Sequence, residues 1–159
     1  MEDKAWSLLR IALGLIFLWA FFDKLFGLGN TTSVAMSWLS GGSPTAGFLT
    51  HGTTGPLATF YQNLAGSSLV DWVFMLGLLG LGLALTFGIC LHLAGWLGAL
   101  LMILIWSAEL PIKGNPFIDD HIIYALALIG FARTDVGTSW SLQGWWKSTA
   151  LVQHHPFLR

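Results

Sequence analysis

Residues 69–110 read LVDWVFMLGLLGLGLALTFGICLHLAGWLGALLMILIWSAEL, two apolar runs, 69–89 and 93–110, parted only by Cys90, Leu91 and His92. Each run has about the 20 apolar residues that take an α-helix across a hydrocarbon core of roughly 30 Å. A three-residue connection permits a tight helical hairpin with its turn on one membrane face. The composition agrees: 55% of the 159 residues are hydrophobic and 9% are charged, so lipid is the main solvent of the chain.

Outward from the hairpin, a third run lies at 8–28 and a shorter fourth at 117–132. Together they predict an all-α integral membrane protein: a four-transmembrane-helix bundle over 1–133, with a cytoplasmic interfacial tail at 134–159. Lys4 and Arg10 flank the first run as they would in a signal peptide. That run continues into Asp23-Lys24 with no small-residue cleavage site, and it reads as a retained span. Four crossings put Lys4, Arg10, Arg133, Lys147 and Arg159 on one side and only Lys24 and Lys113 on the other. The basic side is then cytoplasmic, which places the protein in the plasma (inner) membrane with both termini inside. Trp140, Trp145, Trp146 and Lys147 suit a tail lying among the headgroups.

The outer connection, 29–68, contains no Asp, Glu, Lys or Arg, yet it carries Trp38, Phe48, Phe60 and Tyr61. It is expected to cap the helix ends, with a short helix opened by Gly55-Pro56 and stopped by Gly66. Gly80, Ala84 and Gly88 recur every four residues and, with Gly95 and Gly98, suit close helix packing.

A net charge of −1 offers no nucleic-acid surface, and Cys90 as sole cysteine excludes an intramolecular disulfide or dithiol relay. HxxxH, HExxH, P-loop and dinucleotide motifs are absent, so no metal or nucleotide cofactor is expected. His92, on the cytoplasmic turn, is a membrane thickness away from His121 and cannot share a metal with it.

Charge inside or beside a span is costly and points to function. Asp23, Asp71, Glu109, Asp119 and Asp120 gather near the outer face with His121. Glu109 closes a stripe of Gly95, Gly98, Met102 and Trp106, and Pro111 ends the helix just after it. Pro116 suits the first turn of the last span, and Tyr124 stands one turn beyond Asp120 and His121. Glu109, Asp120 and His121 are therefore the candidate catalytic group, since a histidine beside a carboxylate exchanges protons near neutrality. Helix-start stabilisation accounts equally for Asp119 and Asp120, and a hydrogen-bonded interfacial histidine for His121. Arg10, Gly14, Phe17, Phe21 and Lys24 share one helical stripe. Either its two cations anchor the helix at the two headgroup layers, or the stripe faces inward and pairs with acids. On the second reading Lys24, Tyr124 and Arg10 are substrate-binding.

Leu9-Arg10-Ile11-Ala12-Leu13-Gly14-Leu15, Asp23-Lys24-Leu25, the segment 72–88, Glu109-Leu110-Pro111 and the run from Asn115 through Asp119-Asp120-His121 to Tyr124 resemble the DoxX/DoxD family. The resemblance extends over nearly all of the chain to Arg133. It implies a four-helix membrane subunit of a thiosulfate:quinone oxidoreductase, with quinone as co-substrate. The chemistry suits a quinone better than thiosulfate, a dianion that would meet an acidic outer face. Expected partners are the lipid bilayer, a second redox subunit and a second copy of the chain; a non-catalytic scaffold or assembly subunit of a redox complex is the alternative.

Overall fold

A computed structural model describes residues 2–112, 115 and 117–158; Lys113, Pro116 and Arg159, invoked above, lie outside the described residues. Among the described residues seven α-helices follow in order: α1 (Glu2–Phe26), α2 (Ala58–Gln62), α3 (Ser68–Phe87), α4 (Leu91–Ala108), α5 (Asp120–Arg133), α6 (Gln143–Ser148) and α7 (Ala150–His154). Short 3₁₀ and π turns join them, and no strand occurs among the described residues. α1, α3 and α4 are long and apolar enough to cross a membrane. α5 has 14 residues, a rise of about 21 Å that falls short of a full hydrocarbon core.

α1 packs on α3, α3 on α4 and α4 on α5. Glycines set the closeness of these contacts. A Cβ on Gly14 of α1 would come within 2.6 Å of the Thr86 nitrogen of α3, and one on Gly82 within 2.6 Å of Leu18. Gly95 of α4 lies against Leu128 and Ala132 of α5, and Gly98 against Leu128 of α5 and Leu81 of α3. Gly95 and Gly98 thus serve the close approach expected of them, but Gly80 does not, because nothing lies within 4 Å of where its Cβ would be. Gly88 instead ends α3 in the left-handed conformation, at φ 67°. Leu13, Phe17, Met75, Leu85, Leu128 and Phe131 fill the shared core.

Arg10 is fully buried near the start of α1, where a long cationic side chain must be matched by acceptors. Its Nε donates to the Gly137 carbonyl at 2.9 Å. Nη1 donates to the carbonyls of Leu85 and Thr86, at the end of α3, and Nη2 to those of Ser139 and Trp140. The guanidinium therefore caps the carbonyl end of α3, where a positive charge is favoured by the helix dipole. Asp3 completes the clamp by accepting from the backbone N–H groups of Gly137, Thr138 and Ser139. Of the two sequence readings of Arg10, the inward-facing stripe holds, with Arg10, Phe17 and Phe21 buried, but the guanidinium is held by carbonyls where acids were expected. The tail continues across the same end. Leu142 N–H donates to the Phe87 carbonyl, Val152 is buried, and Trp140 and Trp145 are exposed.

At the other end the uncharged connection forms a cap. The Asp23 carboxylate accepts from the N–H groups of Asn30 and Thr31 and from the Thr31 hydroxyl. Asp71 does the same for Ser43 and Thr45. Tyr61 on α2 binds Ser107 Oγ at 2.6 Å and the Leu104 carbonyl at 3.2 Å, fixing the cap to α4. Two of the five outer acids are thus structural staples.

Candidate functional site

The remaining acids converge where α4 ends and α5 begins. Glu109 is the C-cap of α4, its N–H shared between the Ile105 and Trp106 carbonyls. The Asn115 Oδ1 accepts from the N–H groups of Phe117 and Ile118, and Trp106 Nε1 donates to the Phe117 carbonyl. Asp119 is the N-cap of α5, extended at φ −129°, and one carboxylate oxygen accepts from Ile122 N–H. Its second oxygen lies 2.8 Å from His121 Nδ1. Glu109, Asp119 and His121 each present an atom within 4.8 Å of the other two, a spacing from which a divalent ion could be held after small side-chain rotations.

Asp119, not Asp120, is the partner of His121. Asp120 stands 3.8 Å from the ring with its side chain 67% exposed, and a carboxylate so placed interacts weakly. Neighbours two apart do not face each other along a helix, so spacing alone hides the pair. It forms because Asp119 sits outside α5, where its side chain folds back over the first turn. A cap position followed two residues on by histidine is the signal that would have found it.

The site opens on a crevice of about 1390 Å³ between α3 and α4. Val73, Gly77, Gly80 and Ala84 form one wall; Ala94, Leu97, Leu101 and Leu104 form the other. Lys24, Glu109 and His121 line its capped end, beneath Phe48, Leu49 and Tyr61 of the cap, and Cys90 lies at the far end. Among the described residues Lys24 makes no ion pair, because neighbouring Asp23 is taken up by the cap. An unpaired ammonium, an imidazole held by a carboxylate and a second carboxylate can together bind an oxygen acceptor and move a proton to it.

Of the sequence candidates, the structure brings Glu109 and His121 together, and Lys24 lines the same crevice. Arg10 lies at the opposite end with its donors engaged, Asp120 faces outward, and Tyr124 packs against the helical core and does not line the crevice. The chain matches no family model, no curated protein and no solved structure. The resemblance to DoxX/DoxD proteins therefore rests on the residues quoted for it.

Proposed function

We propose that this chain is the membrane subunit of a quinone-linked oxidoreductase of the DoxX/DoxD type, and that the crevice admits the quinone sideways from lipid. The observation that carries the reading is a long, largely apolar crevice whose lining includes Lys24, Glu109 and His121 at its capped end. A quinone has matching halves, an apolar ring and tail with carbonyl oxygens that need donors. Reduction adds two electrons to the ring and one proton to each oxygen. His121, oriented by Asp119, delivers a proton to one oxygen, Glu109 relays the second from the outer aqueous side to the other oxygen, and Lys24 offsets the negative charge that develops. The electrons come from thiosulfate, two molecules of which couple to tetrathionate as two electrons leave, either directly or through a second redox subunit.

In this reading α5 is the fourth crossing. It packs along α4 and returns the chain to the end where Arg10 and the tail lie. A short span is accommodated by local thinning of the bilayer. Both termini are then cytoplasmic in the plasma membrane, as the charge distribution supports. The exposed Trp140, Trp145 and Phe157 of the tail favour the alternative, a non-catalytic scaffold that docks other subunits.

The test is reduction of a soluble quinone analogue by the purified protein in lipid nanodiscs with thiosulfate as donor, beside a Glu109→Gln, His121→Ala variant. Donor-dependent turnover that the variant lacks supports the enzyme. A folded protein with no turnover and a stoichiometric copurifying partner replaces it with the scaffold.

A further inference from the structure

We infer that the crevice selects its quinone by the tail, taking a long polyprenyl chain along α3 and α4 past the middle of the bilayer, with Gly77 and Gly80 as the residues that make room for it. The inference rests on the quinone reading of the capped end and adds to it which quinones are accepted.

The crevice is longer than a head group requires. Its lining on α4 runs from Leu93 to Ala108, and on α3 from Leu69 to Ala84. Fifteen positions of helix on each wall rise about 22 Å. Half a hydrocarbon core is only about 15 Å. A phospholipid acyl chain whose head lies at the capped end would therefore stop short of the far end. A polyprenyl tail would continue into it. The volume of about 1390 Å³ also exceeds the roughly 300–1,000 Å³ of ordinary small-molecule sites, so a ring alone would leave most of the space unfilled.

The wall glycines point the same way. Gly14, Gly82, Gly95 and Gly98 each lie against a neighbouring helix, which explains why they lack side chains. Gly77 and Gly80 have nothing within 4 Å of a Cβ position, so helix packing does not account for them. Both line the crevice. Their missing side chains widen it about midway along its length, where a head group bound at Lys24, Glu109 and His121 would not reach. At the head end a neutral quinone oxygen is an acceptor for Lys24 and His121.

The experiment compares two benzoquinones of identical ring, one with a long polyprenyl tail and one with a single isoprene unit. Their binding to the wild type, to Gly80→Leu and to a Gly77→Leu, Gly80→Leu double variant is measured in nanodiscs at equal mole fraction of quinone in the lipid. The open space at both positions means that the variants should fold, and thermal unfolding verifies this. The expected result is about tenfold weaker binding of the long-tailed quinone in the variants, with the short-tailed quinone unaffected. Equal effects on both quinones, or none on either in folded variants, would overturn the tail site while leaving the quinone reading intact. Failure of both quinones to bind the wild type would remove the quinone reading itself, and the tail site with it.

Discussion

Arg10 Nε and the Gly137 carbonyl meet at 2.9 Å across 127 positions of sequence, in a place where the Arg10 side chain is wholly shielded from solvent. This contact joins the first helix to the loop that follows the last long one, while the same guanidinium caps α3. Arg10→Leu would leave the carbonyls of Leu85, Thr86, Gly137, Ser139 and Trp140 without their donor. It is expected to cost about 3–5 kcal/mol and to expose the 137–142 loop to protease. Thermal unfolding in detergent with limited proteolysis measures both, and an unchanged melting temperature would mean that the cluster contributes little. Arg10→Lys supplies charge without the planar fork and should recover only part of the loss.

Packing glycines and crevice glycines should respond oppositely. Gly14→Val places methyl groups against the α3 backbone at Thr86 and Gly82, an overlap expected to destabilise by about 3 kcal/mol. Gly80→Ala meets nothing and should be neutral, or stabilising by up to about 1 kcal/mol through helix propensity. Unfolding curves of the two variants under identical detergent conditions decide the matter; a Gly80→Ala loss as large as that of Gly14→Val would place Gly80 in a helix contact.

The apolar runs made the long helices legible, because length and hydropathy are what a bilayer demands. The expected 69–89 and 93–110 appear as Ser68–Phe87 and Leu91–Ala108. The fourth run was read as starting at 117 because Phe117 and Ile118 are apolar, but they belong to the Asn115 turn, and the helix begins only after Asp119. The partners of Arg10 were illegible for another reason. They are backbone carbonyls, which every residue carries, so no side-chain pattern marks them. Gly80 was grouped with Ala84 and Gly88 by spacing, yet the face that packs on α1 carries Gly82. Which small-residue face is used depends on the partner helix, and periodicity within one helix does not contain that information.

Asp71 should matter to the cap and little to the helices. Its carboxylate takes hydrogen bonds from the Ser43 hydroxyl at 2.8 Å and from Thr45 N–H and Oγ1 at 3.2 and 2.6 Å. Asp71→Ala removes all three, and protease cleavage within 43–47 is expected to rise about tenfold with the circular dichroism of the helices unchanged. A collapse of helical signal would show that the cap supports the membrane helices.

Cys90 reports topology without engineering. It lies in the turn between α3 and α4, on the side proposed as cytoplasmic, and burial pushes its thiol up from the ordinary value. The thiolate fraction at neutral pH is therefore low, and labelling by a membrane-impermeant maleimide should be slow at neutral pH and accelerate as pH rises. Inverted inner-membrane vesicles should label while right-side-out vesicles label only after permeabilisation. The reverse pattern would invert the proposed orientation.

The adjacent carboxylates Asp119 and Asp120 separate the roles of helix start and proton transfer. Asp119→Asn keeps the N-cap, since asparagine caps as well as aspartate, but it removes the anion 2.8 Å from His121 Nδ1. Asp120→Asn removes an exposed charge 3.8 Å away. Quinone turnover in nanodiscs should fall about a hundredfold in Asp119→Asn, the scale of losing an oriented acid–base partner, and stay within about twofold in Asp120→Asn, as for an exposed ion pair. Asp119→Ala should lose the cap as well and unfold about 1 kcal/mol more easily. If Asp120→Asn proves the damaging change, proton exchange runs through the outward carboxylate, and Asp119 is a helix cap alone.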